Sequence, residues 1–530
     1  MKGNKITAVG QAVRTASSAV GGAGLPPGVR AAALAVLSVA VLIVNLDNTI
    51  LNVALPTLVR DLNAGSSDLQ WIVDSYVIVF AGLLLTAGSL ADRIGRKRTF
   101  LAGLVLFAVG SAWAAFSGSV DLLIAARAGM GIGGALMIPS TLSIITDMYR
   151  DPRERQQAIS LWAATTGLGV ALGPIIGGLL LAHFWWGSVF LINVPIAVVG
   201  VIAGAWLVPD SRNADAPTPD LAGAALSISG IGLVMWAVIE GPPRGWSSAV
   251  VLGVGAVGLA VLAAFVVWER FSAHPMLQLG FFRNRAFGAA IPAASTVSFG
   301  LYGALFVLTQ FLQFSLGYSP LAAGVRVLPA AAAVVVIAPL SAVAVRVLGP
   351  KLTMAGGLAL IAAGLWLISD ITVTTRYNGI VAGMVLLGVG AGLALPTASG
   401  SAVGSVPRQH AGIASATNTT AIQVGGALGV AVVGSLLSTR YSDGITASVS
   451  HAAAGGQLPA IPPAVMTAIQ SSLGDALSVA AKMPGPAGQF LAHAARSAFA
   501  SGVDLGMLAA VGVALGGFLI ALIWLPRRSH

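Results

Sequence analysis

Cysteine is missing from the 530-residue sequence, and charged residues make up only 9% of it. The first absence excludes disulfide frameworks, thiol nucleophiles and thiolate metal sites. The second excludes a soluble domain, in which about 25% of residues are charged. Apolar runs of about twenty residues recur instead, and a helix of that length crosses the membrane hydrocarbon. The composition therefore predicts an all-α polytopic membrane protein rather than a barrel of short alternating strands.

Motifs of other function classes are also absent. No Gly-x-x-x-x-Gly-Lys-Ser/Thr segment is present to bind a nucleotide phosphate, which argues against an ATP-driven pump. The six histidines lack a metal-binding spacing such as His-Glu-x-x-His. The net charge of +10 comes from basic residues scattered through loops, so membrane topology explains it better than nucleic acid. We therefore expect no enzyme activity, metal, cofactor or nucleic-acid partner.

Fourteen apolar spans predict fourteen transmembrane helices, with both termini on one side. Loops on that side hold 20 of the 28 lysines and arginines, the opposite loops hold 6, and Arg127 and Arg326 lie in spans. The positive-inside rule then predicts cytoplasmic termini in the cytoplasmic (inner) cell membrane. Residues 1–30 lack a signal-peptide core and form a cytoplasmic tail. The predicted spans are 31–58, 69–91, 99–117, 121–147, 156–181, 187–208, 221–240, 249–268, 286–314, 320–346, 351–369, 377–403, 411–437 and 503–526.

The chain contains an internal repeat. The turn at 95–97 matches 349–351, Pro139 matches Pro396, and 167–173 matches 423–429, at offsets of 254, 257 and 256. A near-constant shift predicts two six-helix halves related by an axis along the membrane normal. The predicted regions are a first half at 31–208, an inserted two-helix region at 209–285, a second half at 286–526 and a cytoplasmic end at 527–530.

Residues 438–502, within the second half, form the long extracytoplasmic loop of this scheme. The segment is rich in Ala, Ser, Gly and Pro, and its runs 465–479 and 490–500 are suited to short amphipathic helices. Two interpretations remain open, a partly ordered surface hairpin or a gate.

Asp47 lies in the middle of the first apolar span. A carboxylate at the bilayer centre costs about 2.5–3.5 kcal/mol on insertion scales. Such a group therefore indicates a functional site, with a buried partner, a wet cavity or a bound proton. Arg127 in the fourth span is its candidate partner. The alternative interpretation is that Arg127 lies near a span end and extends its charge to the membrane interface.

A second carboxylate, Asp74, stands about one turn into span two and shares a helical face with Trp71. One interpretation is a water-exposed interfacial aspartate. The other is an anion beside an aromatic wall, which suits a lipophilic cation through charge and cation–π attraction. Glu240, Asp370 and Asp504 lie at span ends, where we expect them to be interfacial.

Other polar side chains in the spans either contact substrate or form interhelical hydrogen bonds worth under about 1–2 kcal/mol. The repeat shift places Asp47 opposite Tyr302 and Arg127 opposite Met384, so titratable groups are concentrated in the first half. Gln310 and Gln313 are one turn apart and are expected to share a face. The predicted substrate-contacting residues are Trp71, Asp74, Asn48, Tyr302, Gln310, Gln313, Asn418 and Gln423.

Two motifs that contain glycine have a defined residue pattern. The loop after span two reads GSLADRIGRKRTF, in which two glycines allow close packing and a tight turn and Asp92 can accept hydrogen bonds. In span five, glycines four residues apart form a smooth face for helix contact, and a proline bends the helix. The span-five residues are Gly169, Gly173, Pro174, Gly177 and Gly178.

The first motif resembles the signature loop of the major facilitator superfamily, glycine-x-leucine-alanine-aspartate-arginine-x-glycine-arginine-lysine, at every defined position. The second is similar to the antiporter motif of that superfamily. The stretch 126–134 resembles the span-four motif whose arginine takes part in proton coupling, which implies that role for Arg127. The resemblance implies a cytoplasmic gating loop formed by Gly88, Asp92, Arg93, Gly95, Arg96 and Lys97.

Asp47 stands in Leu-Asp-x-Thr-x-x-Asn-Val-Ala-Leu-Pro, and with fourteen spans the chain resembles the fourteen-helix drug:proton antiporters. The string Trp-Ile-Val-Asp-x-Tyr around Asp74 is similar to that of quaternary-ammonium exporters. Some of those members carry acidic residues in span thirteen, where this chain has Asn418 and Gln423, so the resemblance does not extend to dication specificity. It implies a major-facilitator fold, a monomer in membrane lipid, and a proton gradient as energy source.

The sequence thus predicts a proton-coupled exporter of lipophilic, cationic drugs or antiseptics that works by alternating access. Asp47, Arg127 and Asp74 are the predicted proton-coupling residues. Deprotonated Asp47 attracts a cation or pairs with Arg127, and protonated Asp47 releases what it held. The alternative is export of an endogenous metabolite, an antibiotic or a lipid on the same fold.

Overall fold

The computed structural model describes residues 25–212, 218–407, 410–455, 458 and 461–526, and all regular elements within them are helical. The predicted end 527–530 and most of the predicted tail 1–30 lie outside the described residues. The N-terminal helices are α1 (Pro27–Leu62), α2 (Ser66–Ile94), α3 (Arg96–Ala115), α4 (Val120–Met148), α5 (Pro152–His183), α6 (Ser188–Leu191) and α7 (Asn193–Leu207). They are followed by α8 (Leu221–Arg244), α9 (Ala249–Phe271), a 3₁₀ turn (Leu279–Arg283), α10 (Arg285–Gln310), a π-helical turn (Phe311–Ser315), α11 (Pro320–Ser369), α12 (Tyr377–Gly404), α13 (Ala411–Ala454), α14 (Pro463–Ser471), α15 (Leu473–Lys482) and α16 (Gly485–Trp524).

Thirteen helices of the described chain are long and apolar enough to cross a membrane. The longest, α11, has 50 residues and loses helical geometry at Gly349, so its two parts count as separate spans. The total is then fourteen, as predicted, and the all-α fold class is confirmed. We call the membrane side that holds the α1–α2 connection the distal side, and the side that holds the chain termini the terminal side.

The two turns that the repeat aligns have matching backbones. Gly95 has a φ of 123° and Gly349 a φ of 81°, in the left-handed region where a side chain is strained. The hydroxyls of Thr99 and Thr353, which are 254 positions apart, donate to the carbonyls of these glycines at 3.0 and 2.9 Å. This shared geometry supports the internal repeat.

The glycine face of α5 packs on α1, the helix that carries Asp47. A Cβ atom added at Gly173 would overlap the Thr49 side chain, and one at Gly177 would lie 2.6 Å from Cγ1 of Ile50. In the other half of the chain, Gly429 makes a similarly close approach to α10. The glycines therefore set the distance between α1 and α5.

We expect Gly173→Ala to destabilise the protein by about 1–3 kcal/mol, the usual cost of overpacking a close interface. The matched control is Gly167→Ala in the same helix, where the nearest atom to an added Cβ, in Val335, is 4.0 Å away. Thermal unfolding of the two purified variants measures the difference. Equal midpoints would show that the α1–α5 contact is not tightly packed.

Helix α8 of the inserted pair contacts α2 and α13. The Ser67 hydroxyl of α2 donates to the Ile239 carbonyl at 3.2 Å, and the Ser435 hydroxyl of α13 lies 2.7 Å from the Val238 carbonyl. Ser435 also lies 3.1 Å from Oε1 of Gln70 in α2. We call this junction of α2, α8 and α13 the three-helix seam, and it joins the N-terminal spans to the C-terminal ones.

The segment 438–502 is helical at the two runs for which short helices were predicted, 465–479 and 490–500, but the flanking helices also extend into it, so its description as one long loop is wrong. Helix α13 continues to Ala454, α16 begins at Gly485, and α14 and α15 occupy much of the interval. Hydropathy marks where a helix leaves the membrane, whereas alanine-rich sequence favours helix well beyond that point. The Tyr441 hydroxyl donates to the Ile469 carbonyl at 2.9 Å, and Ser66 of α2 donates to the Ser471 carbonyl at 2.8 Å. Helix α14 therefore lies on the distal ends of α2 and α13, and α15 contacts α1 and α16.

Candidate functional site

Asp47 and Arg127 form an ion pair inside the helix bundle. Their side chains are 0% and 1% exposed, and Nη1 of Arg127 contacts Oδ2 of Asp47. The other carboxylate oxygen accepts a hydrogen bond from Nδ2 of Asn193 at 3.0 Å. Nε of Arg127 donates to the Ile72 carbonyl at 3.1 Å, and its guanidinium carbon lies 4.5 Å from the centre of the Tyr76 ring. The interpretation of Arg127 as an interfacial arginine is therefore wrong.

Each charge of the pair has further partners in the protein. Desolvating two ions costs several kcal/mol each, and the cost is offset where the geometry is good and the remaining hydrogen-bonding atoms have partners. Helices α1 and α4 supply the pair itself, α7 supplies the Asn193 donor, and α2 supplies the Ile72 carbonyl. Protonation of Asp47 would neutralise it and weaken its attraction for Arg127, so the site has the chemistry to hold or release one proton.

Asn193 is a site residue that the sequence reasoning missed. It is fully buried at the start of α7, and its Nδ2 also lies 3.4 Å from Oγ of Ser111 in α3. The sequence did contain an indication of this site, because Asn193 is the only residue with a polar side chain between residues 189 and 204. A polar group in such a run is expected to have a buried partner.

Asp74 is fully buried, and neither of its carboxylate oxygens has a hydrogen-bond partner within the described part of the chain. Its helical neighbours are at the three-helix seam, since Gln70 one turn earlier contacts Ser435 and Ile78 one turn later packs with Met235. The water-exposed interpretation of Asp74 is therefore wrong. A buried carboxyl group without a partner is stable only when it binds a proton or a cation.

Trp71 lies beside this carboxylate on α2 and is tied to the inserted pair. Its Nε1 donates to Oε1 of Glu240 at 3.3 Å, and Oε2 of Glu240 pairs with Arg244 at 2.9 Å. The side chain of Glu240 is only 17% exposed, so it is a structural partner of Trp71 as well as an end-of-span residue. The inserted helix thus contributes a side chain next to the candidate cation site.

The candidate gating loop is held by ion pairs at the terminal side. Nε of Arg96 lies 2.7 Å from Oδ1 of Asp92, and Nη1 lies 2.7 Å from Oδ2 of Asp147. Lys97 donates to the Ala205 carbonyl at 2.8 Å, whereas Arg93 is exposed.

Asp147 at the end of α4 is a second site residue that sequence reasoning missed. Gly88, also in the motif, places an added Cβ 3.7 Å from the Pro139 side chain, so α2, α3, α4 and α7 meet at this loop.

Gln310 and Gln313 do not act together, although their spacing suggested a common face. Nε2 of Gln310 donates to the Phe306 carbonyl of its own helix at 3.1 Å. Nε2 of Gln313, in the π-helical turn, donates to the Val53 carbonyl of α1 at 2.9 Å. Since a π-helical turn changes the helical phase, the two amides point to different partners. Gln313 connects the C-terminal spans to the Asp47 helix.

The remaining predicted contact residues are spread over the bundle. Nδ2 of Asn418 donates to Oγ of Ser399 at 2.8 Å, which is an interhelical hydrogen bond between α13 and α12. The Tyr302 ring packs against Gly426 of α13. Tyr302, Asn48 and Gln423 are half-buried. Each of these three side chains is partly exposed and is therefore able to contact a substrate.

Comparisons with known proteins identify the family of this chain. Residues 37–430 match the Major Facilitator Superfamily. The chain is 39% identical over 473 residues to the multidrug efflux pump LfrA of Mycolicibacterium smegmatis, covering 89% of this chain and 91% of that one. It is 34% identical over 491 residues to the tetracenomycin C resistance and export protein of Streptomyces glaucescens, covering 92% and 90%.

The fold is similar to the crystal structure of a bacterial homologue of the human lysosomal transporter Spinster in its inward-facing, unoccupied conformation. The TM-score is 0.65 at 18% identity, covering 95% of this chain and 99% of that one. The family match extends over most of the chain, and the fold and the sequence relatives point the same way. The chain is therefore a multi-pass membrane transporter that belongs to the Major Facilitator Superfamily, with multidrug efflux proteins among its relatives.

Proposed function

We propose that the protein exports lipophilic cations in exchange for protons, with the proton gradient as its energy source and no cofactor. The observation that carries this proposal is the pair of buried carboxyl groups in the membrane, one in an ion pair and one without a partner. The name of the relative LfrA, a multidrug efflux pump, supports the direction of transport. In this proposal Asp47 binds a proton, and Asp74 binds either a proton or the cation.

Asp74 would bind the cation. Within the described residues its carboxylate has neither a hydrogen-bond partner nor an ion pair, so a proton or a substrate must neutralise it. Trp71 on the same helix offers an aromatic face for a lipophilic cation. Binding of the cation would then displace the proton from Asp74, which makes the two mutually exclusive.

Asp47 would carry the exchanged proton. When Asp47 is protonated its attraction for Arg127 falls, and the α1–α4 contact at the centre of the N-terminal helices weakens. We propose two rocking halves, 31–208 and 286–526, that alternately expose the site to the two membrane sides. The gating loop around Asp92 and Arg96 would close the terminal side in one of the two states.

We also propose that both termini are cytoplasmic in the inner membrane and that the protein works as a monomer. The excess of basic residues on the terminal side supports the orientation. The candidate site supports the monomer, since one chain supplies the Asp47, Arg127 and Asn193 contacts.

Asp74→Asn is expected to abolish cation-dependent proton movement while the protein remains folded, because asparagine keeps the shape of the side chain and loses the charge. The assay uses proteoliposomes with an internal pH dye and tetraphenylphosphonium as the lipophilic cation. Asp121→Asn, at an exposed position in the first turn of α4, is the control. Wild-type liposomes that move no protons in response to any of a panel of lipophilic cations would overturn the proposed function.

A second candidate is export of an endogenous metabolite, an antibiotic or a lipid. The relative named as a tetracenomycin C resistance and export protein favours it, because that name refers to both resistance and export. Comparing the compounds released by cells with and without the protein separates the two candidates. Cation export predicts an altered toxicity spectrum for added cations, and product export predicts loss of a released metabolite.

A further inference from the structure

A second arginine lies within a membrane span, and it has no acidic partner. Arg326 is six residues into α11 from the distal side, which corresponds to about 9 Å along the helix axis. The ion pairs in the described part of the chain do not include it. Arg127, the other arginine inside a span, has its charge matched by Asp47. An arginine this close to a helix end either extends to the interface or binds an anion, and no carboxylate of the described chain pairs with it.

The Arg326 side chain is held in place by two tyrosines. Its guanidinium carbon lies 3.9 Å from the centre of the Tyr318 ring and 5.5 Å from that of Tyr377. Nη1 donates to the Ala322 carbonyl at 3.1 Å, and the Tyr377 hydroxyl donates to the Arg326 carbonyl at 3.0 Å. Nε is buried without a partner. The guanidinium is therefore held at a fixed position between the two rings, and its Nε is a donor that the described chain does not satisfy.

We propose that Arg326, Tyr318 and Tyr377 bind the phosphate of a phospholipid from the distal leaflet. Guanidinium groups bind phosphate oxygens through two parallel hydrogen bonds, which would satisfy the Nε donor that the described chain leaves free. Tyrosines favour the headgroup level of the membrane, and Tyr318 and Tyr377 lie at the distal starts of α11 and α12. Arg376, exposed at the start of α12 beside Tyr377, adds positive charge next to the cage. The site is separate from the Asp47–Arg127 pair.

Native mass spectrometry of the purified protein tests this site with three probes: phosphatidylglycerol, diacylglycerol of the same chain length, and inorganic phosphate. We expect wild-type protein to bind phosphatidylglycerol about tenfold more tightly than Arg326→Gln, since charge-assisted hydrogen bonds are lost. Diacylglycerol, which lacks phosphate, should bind both equally. Arg326→Lys keeps the charge and loses the planar fork, so its affinity should fall between the two.

The matched control is Arg60→Gln, which removes an exposed arginine from the distal end of α1. It should bind phosphatidylglycerol as the wild type does. Equal lipid affinity in the wild type and Arg326→Gln overturns the proposal. If inorganic phosphate competes fully with the lipid, and the acyl chains add nothing to the binding affinity, the site binds free anions. That result also overturns the lipid assignment. If Arg326→Gln does not fold, Arg326→Lys and Tyr318→Leu carry the same comparison.

Discussion

Asp47→Asn is expected to eliminate proton-coupled export in proteoliposomes, down to the level of liposomes without protein. Asparagine has nearly the same shape as aspartate, and its single oxygen can replace one of the two carboxylate oxygens that accept from Asn193 and Arg127. It cannot take up or release a proton, so the exchange loses its proton carrier. Substrate-dependent acidification or alkalinisation of the lumen, followed with a pH dye, measures the effect.

Asp61→Asn provides the matched control, because Asp61 is on the same helix as Asp47 but exposed near its distal end. That variant should exchange protons at the wild-type rate. Substrate binding by Asp47→Asn, measured without a gradient, separates loss of coupling from loss of the site. If Asp47→Asn retains the wild-type ratio of protons to substrate, Asp47 is not the proton carrier.

The second large effect is expected for Arg127→Gln, which leaves Asp47 buried with Asn193 as its remaining strong partner. Removing one member of a buried ion pair typically costs about 3–5 kcal/mol, because an uncompensated charge remains in a region of low dielectric constant. We expect a strongly lowered thermal midpoint and poor recovery of monodisperse protein. Arg93→Gln, at an exposed position in the gating loop, should have no comparable effect.

The double variant Asp47→Asn with Arg127→Gln identifies the cause of that loss. It removes both charges together and replaces them with two neutral amides, so most of the stability should return. Transport should not return, because the proton carrier is still missing. A double variant as unstable as Arg127→Gln alone would mean that the arginine acts through Ile72 and Tyr76 rather than through Asp47.

The sequence was sufficient for the parts of the protein that membrane energetics dictates. A charge in an apolar run is costly, so Asp47 and Arg127 were both visible as a candidate pair. Span number follows from span length, and the break at Gly349 follows from its match to Gly95. These features depend on local composition or on the repeat, and neither needs knowledge of how the helices pack.

The rest depended on packing that a single sequence does not specify. Asp74 had two open interpretations, because its exposure is decided by α8 and α13, which lie far from it in the chain. Asn193 was missed for a related reason, since the sequence does not show which residue a single buried amide contacts. The extension of α13 and α16 into segment 438–502 was missed because hydropathy shows where a helix leaves the membrane and not where the helix ends.

The three-helix seam bears on how the fourteen-span chain could be shortened. Excision of the inserted pair would leave the Ser67 hydroxyl and the Trp71 indole without their present acceptors, and it would uncover one wall beside Asp74. Acyl chains would then replace protein next to that carboxyl group, and lipid provides no hydrogen bonds. A twelve-span derivative made by deletion would therefore need new residues along α2 and α13, and the inserted pair is an integral part of the bundle rather than a spacer between two independent units.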